Sequence, residues 1–334
     1  HYSRTGTAIA HVIDIDIVIV IEIEKGITQF HAHSGTWSMS KQKILVIGNG
    51  MVGHHFVEQL ASSERFFDIT VVGGEPRPAY DRVHLSEYFA GSKPEELALT
   101  TQDHYREIGV KAHFGDPVTS ISPESKIVKT EGGQLFAYDK LILATGSYPF
   151  IPPIPGANLP GCLTYRTIDD LGEIRGEAKK AKAGVVVGGG LLGLEAANAL
   201  KNLGLETHVV EFAPQLMGVQ LDTGGGEMLR RKIEALNVSV HTQKATKAIK
   251  KGTHSRLTMY FEDGETLDTD LIIFSAGIRP YDQLASSAGL NIAERGGFEI
   301  DYNCRTSNTD IYAIGECASF GGRIFCLVGP GYRM

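Results

Sequence analysis

The chain has 334 residues, a formal net charge of −7, 42% hydrophobic residues and 21% charged residues. This is the composition of an ordinary globular protein of about two domains. A net acidic chain without a run of lysine and arginine binds phosphate backbones poorly, which argues against nucleic acid as a partner. No stretch approaches the roughly 20 apolar residues of a membrane helix, so we expect no membrane insertion either.

Cysteine usage indicates the compartment. The chain has four cysteines, and none of them forms a Cys-x-x-Cys pair. A structural zinc site or a disulfide framework is therefore not expected, and neither is any other metal site. So few cysteines in a chain of this length predict a reducing compartment, the cytoplasm.

Residues 1–38 differ in composition from everything that follows. Residues 12–24 (VIDIDIVIVIEIE) have isoleucine at every second position, and a period of two is typical of a strand. One interpretation is an edge strand that pairs with a partner. The other is an atypical extension that is not part of the fold, and the compositional break before Met39 favours it.

The first predicted unit is a strand, a glycine-rich turn and a helix. Residues 43–47 form an apolar run, the sequence GNGMVG follows at 48–53, and a helical pattern leads to a second strand at 68–72. This spacing suits a dinucleotide, because the glycines allow a tight turn and the helix N-terminus faces the pyrophosphate. An acidic residue after the second strand can bind ribose hydroxyls. The predicted ligands are Gly48, Gly50, Met51, Gly53 and Glu75.

The pattern repeats later in the chain. A strand at 184–187 is followed by GGGLLG at 188–193, a helix at 194–203 and a second strand at 207–210 that ends in an acidic residue. Two complete units imply two dinucleotides, or one dinucleotide and one flavin. The predicted ligands of this second unit are Gly188, Gly190, Leu191, Gly193 and Glu211.

The acidic residue of the second unit predicts the choice between NADH and NADPH. Glu211 can pair with a free 2′-hydroxyl and would repel a 2′-phosphate. The next residues are Phe212, Ala213 and Pro214, so no arginine stands beside it. We therefore expect NADH to be preferred over NADPH.

Three further segments complete a resemblance. With the two glycine units, they resemble the two-dinucleotide-binding-domain flavoprotein reductases, the glutathione-reductase-like group. The segments are residues 138–146 (YDKLILATG), 276–280 (AGIRP) and 309–316 (TDIYAIGE). The resemblance implies FAD in the first unit and NAD(P)H in the second. Most of that group has Asp at the position of Glu316, and this carboxylate would bond the flavin ribityl chain. The further FAD or NAD contacts that it implies are Ala144, Thr145, Gly146, Gly277, Gly315 and Glu316.

Within the group the resemblance narrows to one family. Six segments resemble the reductase portion of the large subunit of NADH-dependent assimilatory-type nitrite reductase. They are residues 79–89, 140–156, 164–171, 188–204, 207–217 and 311–319. That family continues into an iron–sulfur segment and a sirohaem-bearing part, which are not found in this sequence. The resemblance thus implies an electron-acceptor domain or small subunit of nitrite reductase as the partner. Residues 327–334 resemble the start of the family's closing FAD helix, so we expect weakened FAD binding.

The resemblance also implies the domain layout. The fold class would be α/β, with two Rossmann-like, three-layer ββα domains. The FAD domain would be split between residues 39–150 and 276–334, and the NAD(P)H domain would be inserted at 151–275. Strands near 238–241, 257–261 and 270–275 and a helix at 227–236 would complete the inserted domain.

The expected chemistry is hydride transfer from nicotinamide C4 to flavin N5, which requires alignment more than a protein acid or base. Arg82 resembles a contact to the FAD pyrophosphate, and Glu195 resembles a glutamate between flavin and nicotinamide. For both, an ordinary surface position is the alternative. Residues 39–161 contain no cysteine, so thiol–disulfide chemistry is not expected in that part of the FAD domain.

Two other interpretations stay open. The first is a ferredoxin or rubredoxin reductase-like flavoprotein, which shares the same two units. The second is a protein that binds NAD(H) or FAD without turnover and acts through partners. Mixing with NADH without oxygen separates an enzyme from a binding protein, because only the enzyme bleaches its flavin.

Overall fold

A computed structural model describes residues 41–63 and 67–334. The predicted extension at residues 1–38, with its strand, lies outside the described residues. Within the described ranges, no helix has both the length and the apolar character needed to cross a bilayer.

The described residues form 21 strands and seven α-helices. The strands are β1 (Gln42–Ile47), β2 (Phe67–Gly73), β3 (Lys111–Phe114), β4 (Val118–Ser122), β5 (Ile127–Thr130), β6 (Leu135–Ala137), β7 (Lys140–Leu143), β8 (Ser147–Pro149), β9 (Cys162–Thr164), β10 (Ala183–Val187), β11 (Glu206–Val210), β12 (Val238–His241), β13 (Thr246–Lys251), β14 (Leu257–Phe261), β15 (Thr266–Thr269), β16 (Leu271–Phe274), β17 (Ile278–Pro280), β18 (Phe298–Glu299), β19 (Ile311–Ala313), β20 (Ala318–Phe320) and β21 (Arg323–Ile324). The α-helices are α1 (Met51–Ala61), α2 (Gln102–Glu107), α3 (Ile168–Ala178), α4 (Leu191–Asn202), α5 (Thr223–Glu234), α6 (Leu284–Ala288) and α7 (Val328–Tyr332).

The chain folds into two compact units. The first unit holds the described residues up to Tyr80, together with Ala98–Ser147 and Pro280–Met334, and the second holds Asp81–Leu97 and Tyr148–Arg279. The predicted layout assigned Asp81–Leu97 to the first domain, whereas the structure groups this segment with the second unit. The physical reason is that side chains of the second unit hold this segment, as described below.

The first unit is built on a parallel sheet with the strand order β19-β7-β1-β2-β3. Strand β1 lies between β2 and β7, and alternate side chains of β1 point to opposite faces. Ile44 and Val46 pack with Val57 and Leu60 of α1. Leu45 and Ile47 belong to the core on the other side, which the antiparallel sheet β4-β5-β6 covers. Because both faces of β1 are covered, its sequence is a continuous apolar run.

The second unit repeats the architecture. Its parallel sheet has the order β12-β11-β10-β16-β9, and the antiparallel sheet β13-β14-β15 supplies a second layer. Val185 and Val187 of β10 pack with Leu257 and Met259 of that layer. The α4 helix buries its alanines and Leu200. The predicted fold class, two Rossmann-like ββα domains in an α/β protein, is confirmed.

One predicted helix boundary is wrong. The helix predicted at 227–236 is α5, which begins four residues earlier at Thr223 and ends at Glu234. The Asp222 carboxylate accepts a hydrogen bond of 2.7 Å from the backbone N–H of Gly225. This N-cap starts the helix just before the glycines at 224–226, in spite of the low helix propensity of glycine.

Candidate functional site

The first glycine loop, Gly48–Gly53, joins β1 to α1. Gly48 has φ +106°, and a Cβ atom built on it would overlap the carbonyl oxygen of Ala144. A Cβ on Gly53 would overlap the carbonyl oxygen of Gly48. A Cβ on Gly50, by contrast, would meet no atom of the described residues within 4 Å. Two glycines therefore allow the turn to close, and the third leaves space in front of the helix.

The second glycine loop, Gly188–Gly193, has the same geometry between β10 and α4. Gly188 has φ +121°, and a Cβ atom built on it would overlap the carbonyl oxygen of Ser275. A Cβ on Gly193 would overlap the carbonyl oxygen of Gly188. Gly190 again faces open space in the described structure. The N-cap residues of α1 and α4 are Gly50 and Gly190, which have no side chain to cap the helix. Helix N-termini of this form suit an anion, which backbone N–H groups can bind. Met51 and Leu191 are the first residues of these helices.

Glu211 is held rigidly beside the second loop. Its Oε2 accepts a hydrogen bond of 2.5 Å from the backbone N–H of Gly189, and its Oε1 accepts one of 2.7 Å from Ala213. Two N–H donors fix the carboxylate at the end of β11. The neighbouring Phe212 is 77% exposed. A fixed carboxylate in this place can accept hydrogen bonds from ribose hydroxyls and repels a phosphate.

Glu75 follows the end of β2, as its predicted role requires. Tyr80 donates a hydrogen bond of 2.7 Å to Glu75 Oε2, and Arg77 Nη1 lies 3.8 Å from the same oxygen. The sequence did not point to these two neighbours. The binding of ribose by Glu75 stays a prediction.

The carboxyl end of β7 carries the predicted ATG turn. Ala144 donates its backbone N–H to Ile47 at 2.8 Å, and the Thr145 hydroxyl donates to the carbonyl oxygen of Tyr281 at 2.6 Å. Gly146 has φ +70°. Because β1 and β7 are adjacent parallel strands, this turn lies at the same sheet edge as the first glycine loop.

Gly315 and Glu316 follow β19, which is the other neighbour of β7. A Cβ on Gly315 would lie 3.3 Å from the Val52 side chain, so the late motif approaches α1 closely. The Ser147 hydroxyl donates to Glu316 Oε2 at 2.7 Å. Within the first unit, the structure thus brings together the three segments that the sequence assigned to FAD.

Two predicted ligands lie in the second unit. Gly277 has φ +109°, and its carbonyl oxygen accepts a hydrogen bond from Phe150. Arg82 Nη1 donates to the carbonyl oxygen of Arg166 at 3.1 Å. Their contacts to a bound cofactor stay predictions.

Glu195 is held by two residues that sequence reasoning missed. Tyr165 donates its hydroxyl to Glu195 Oε1 at 3.1 Å, and the backbone N–H of Ser86 donates to the same oxygen at 3.2 Å. These residues lie 30 and 109 positions from Glu195 along the chain. No local pattern could have indicated them.

The cysteines show no reactive arrangement. All four lie within the described residues and are free thiols. Cys317 is fully buried and directs its sulfur at the carbonyl oxygens of Leu143 and Ile314, and its burial raises the pKa of its thiol. It therefore packs as a small apolar residue. Across residues 41–63 and 67–334, no three histidine, cysteine or acidic side chains are grouped to hold a metal ion.

Comparison with known proteins identifies the family. Residues 42–329 match the pyridine nucleotide-disulphide oxidoreductase family. The chain is 55% identical over 299 residues to the nitrite reductase (NADH) large subunit of Escherichia coli, with 89% of this chain and 35% of that protein covered. It is 54% identical over 298 residues to the nitrite reductase [NAD(P)H] large subunit of Klebsiella oxytoca, with 89% and 31% covered. The chain thus spans about a third of the length of these curated relatives.

The chain is also similar to a solved structure. The ferredoxin reductase for the CYP199A2 system of Rhodopseudomonas palustris has a TM-score of 0.80 and 27% identity, with 86% of this chain and 72% of that one covered. The predicted similarity to the nitrite reductase large subunit is confirmed by the two sequence matches. The chain belongs to the pyridine nucleotide-disulphide oxidoreductase family.

Proposed function

We propose that the chain is an FAD-dependent NADH oxidoreductase that transfers hydride from NADH to FAD and passes the electrons to a nitrite-reducing part. The observation that carries this proposal is the repetition of one geometry. Each unit has a glycine loop that closes against a neighbouring strand and leaves open space beside its second glycine, which is the N-cap residue of the following helix. Two such cradles suit two dinucleotide-type ligands.

The first unit has the residues that would hold FAD. The space beside Gly50 would receive the pyrophosphate, and the turn at Ala144–Gly146 and the carboxylate of Glu316 follow neighbouring strands of the same sheet. When bound, FAD accepts an electron pair as hydride and can release electrons singly. The protein's part is to bind and orient the flavin. Further ligands in this unit on the proposal are Gly48, Met51, Gly53, Glu75 and Gly315, while contacts of Arg82 and Gly277 to a cofactor stay predictions.

The second unit has the residues that would hold NADH. Gly190 leaves the space for a pyrophosphate, and the fixed Glu211 carboxylate would bind the adenosine ribose. Since the same carboxylate repels a 2′-phosphate, NADH is the preferred donor. Glu195 would lie near the nicotinamide end.

The proposed electron acceptor is the iron–sulfur and sirohaem part, or the small subunit, of a nitrite reductase. The 55% identity to a protein named as the large subunit of that enzyme supports it. Transfer to a ferredoxin is the second candidate, supported by the 27% identity to a ferredoxin reductase. We place the reaction in the cytoplasm, in keeping with four free thiols.

The test is reduction of the flavin without oxygen. The purified chain is loaded with FAD, mixed with NADH or NADPH in a stopped-flow instrument, and followed in the visible flavin band. Rapid bleaching with NADH, and much slower bleaching with NADPH, supports the proposal. Binding of both nucleotides without bleaching would identify a binding protein without turnover.

A second arm identifies the acceptor. The reduced chain is offered either the remaining portion of a nitrite reductase large subunit or a ferredoxin, and flavin reoxidation is timed. Faster reoxidation by the nitrite reductase portion supports the first candidate, and faster reoxidation by ferredoxin supports the second.

A further inference from the structure

Tyr165 connects the segment Asp81–Leu97 to the helix that carries Glu195. Its ring stacks on Phe89 with ring centroids 6.3 Å apart and 20° between the ring planes, while its hydroxyl donates to Glu195 Oε1 at 3.1 Å. Tyr165 is 4% exposed, and its burial, together with the neighbouring Glu195 charge, raises the pKa of its hydroxyl above the ordinary value. The hydroxyl is therefore a protonated donor at any physiological pH.

The segment that supplies the second donor is anchored in the same unit. Arg175 donates to the carbonyl oxygen of Tyr88, and its guanidinium lies 3.8 Å from the centroid of the Tyr88 ring. Phe89 follows directly and stacks on Tyr165. These contacts fix the backbone that presents the N–H of Ser86 to Glu195.

The two donors act on one oxygen of Glu195. Both Tyr165 and Ser86 bond Oε1, and in the described structure Oε2 accepts no hydrogen bond. Nor does Glu195 form an ion pair with a lysine or arginine anywhere in residues 41–63 and 67–334. A carboxylate with one oxygen fixed by two donors presents the other oxygen in a defined direction.

We propose that Tyr165 is a positioning residue for NADH, which orients the free oxygen of Glu195 toward the nicotinamide end of the bound nucleotide. The proposal rests on the proposed function, because it takes NADH as the ligand of the second unit. Glu195 is the fifth residue of α4, the helix that starts at the second glycine loop. The nicotinamide carboxamide carries N–H donors, and a carboxylate oxygen accepts them.

The hydroxyl of Tyr165 can be tested apart from its ring. Tyr165→Phe removes the donor and retains the ring that stacks on Phe89. Tyr302→Phe is the matched control, because Tyr302 is 76% exposed and lies in the other unit. Glu195→Gln and the Tyr165→Phe/Glu195→Gln double variant show whether Tyr165 acts through Glu195.

The first readout is binding to the protein without FAD. NADH and ADP-ribose, which lacks the nicotinamide, are titrated into each variant by calorimetry. For Tyr165→Phe we expect the Kd of NADH to rise about 5-fold, the scale of one ordinary hydrogen bond, with the Kd of ADP-ribose unchanged. The double variant should bind NADH no more weakly than Glu195→Gln, and Tyr302→Phe should match the wild type.

The second readout is the rate of flavin reduction at saturating NADH, which should fall about 10-fold in Tyr165→Phe because a misaligned nicotinamide reacts slowly. Equal weakening of NADH binding and ADP-ribose binding would show that Tyr165 has a structural role, and would overturn the proposal. Wild-type Kd values for both ligands would overturn it too. If the wild type itself fails to bind NADH or to bleach, the proposed function fails instead.

Discussion

No side chain fits at Gly48, because a Cβ atom there would overlap the carbonyl oxygen of Ala144 on the neighbouring strand. Gly48 also has φ +106°, a conformation that residues with a side chain rarely adopt. The turn after β1 and the turn after β7 therefore pack backbone against backbone. This close approach brings the two loops assigned to FAD together at one sheet edge.

Replacing this glycine should destabilise the first unit. We expect Gly48→Ala to lower the free energy of unfolding by more than about 2 kcal/mol, since it adds a steric overlap to an unfavourable φ. Urea denaturation followed by circular dichroism measures the loss. Gly91→Ala is the matched control, because Gly91 has φ +114° and a Cβ there would meet no described atom within 4 Å. A loss no larger than that of the control would contradict the overlap.

The second glycine of each loop should affect binding without affecting stability. Gly50 and Gly190 both have φ −84° and face open space in the described structure, so an alanine causes no strain. We expect Gly50→Ala to weaken FAD binding and Gly190→Ala to weaken NADH binding, each by about 10-fold or more, because a methyl group keeps the pyrophosphate from the backbone. Calorimetric titration of each ligand into both variants provides a crossed comparison. Equal effects of either variant on both ligands would refute the assignment of one nucleotide to each unit.

Glu211 should determine the nucleotide preference. We expect Glu211→Gln to reduce the ratio of kcat/KM for NADH over NADPH by about 10-fold, because the change removes the charge that repels a 2′-phosphate. Steady-state assays with an artificial electron acceptor give both values. The exposed Glu262→Gln removes the same charge elsewhere in the unit and should leave the ratio unchanged. An unaltered ratio in Glu211→Gln would mean that another residue selects the nucleotide.

Local patterns explain which features could be predicted from the sequence. The strand, glycine turn and helix are contiguous in the chain, so the Gly48 and Gly188 turns and the acids after β2 and β11 followed from spacing alone. The grouping of Asp81–Leu97 with the second unit could not be predicted from spacing, because it depends on contacts such as that of Arg175 with Tyr88, 87 residues apart. The donors to Glu195 were missed for the same reason. A hydrogen bond across such a distance in sequence leaves no periodicity to detect.

Two stacked histidines in the second unit should make its stability depend on pH. His208 Nδ1 lies 3.1 Å from His241 Nε2, on the neighbouring strands β11 and β12. Burial lowers the pKa of both rings, and for His241 the proximity of His208 and Lys244 lowers it further. The unfolded chain, with histidine pKa values near the ordinary 6.5, therefore binds more protons than the folded chain in this range.

These two histidines should accordingly make stability fall as the pH decreases through about 6.5 toward their lower folded pKa values. Thermal melts from about pH 8 to about pH 5.5 test this slope, since paired carboxylates such as Asp310 titrate only at lower pH. His54, whose pKa burial also lowers, contributes in the same direction. His84 contributes in the opposite direction, because its hydrogen bond to Asp81 raises its pKa. The His241→Gln variant should therefore keep part of the slope and lose the part that comes from the pair. The control, exposed His254→Gln, should melt like the wild type at every pH. A His241→Gln variant that kept the full wild-type slope would show that folding does not lower the pKa values of the pair.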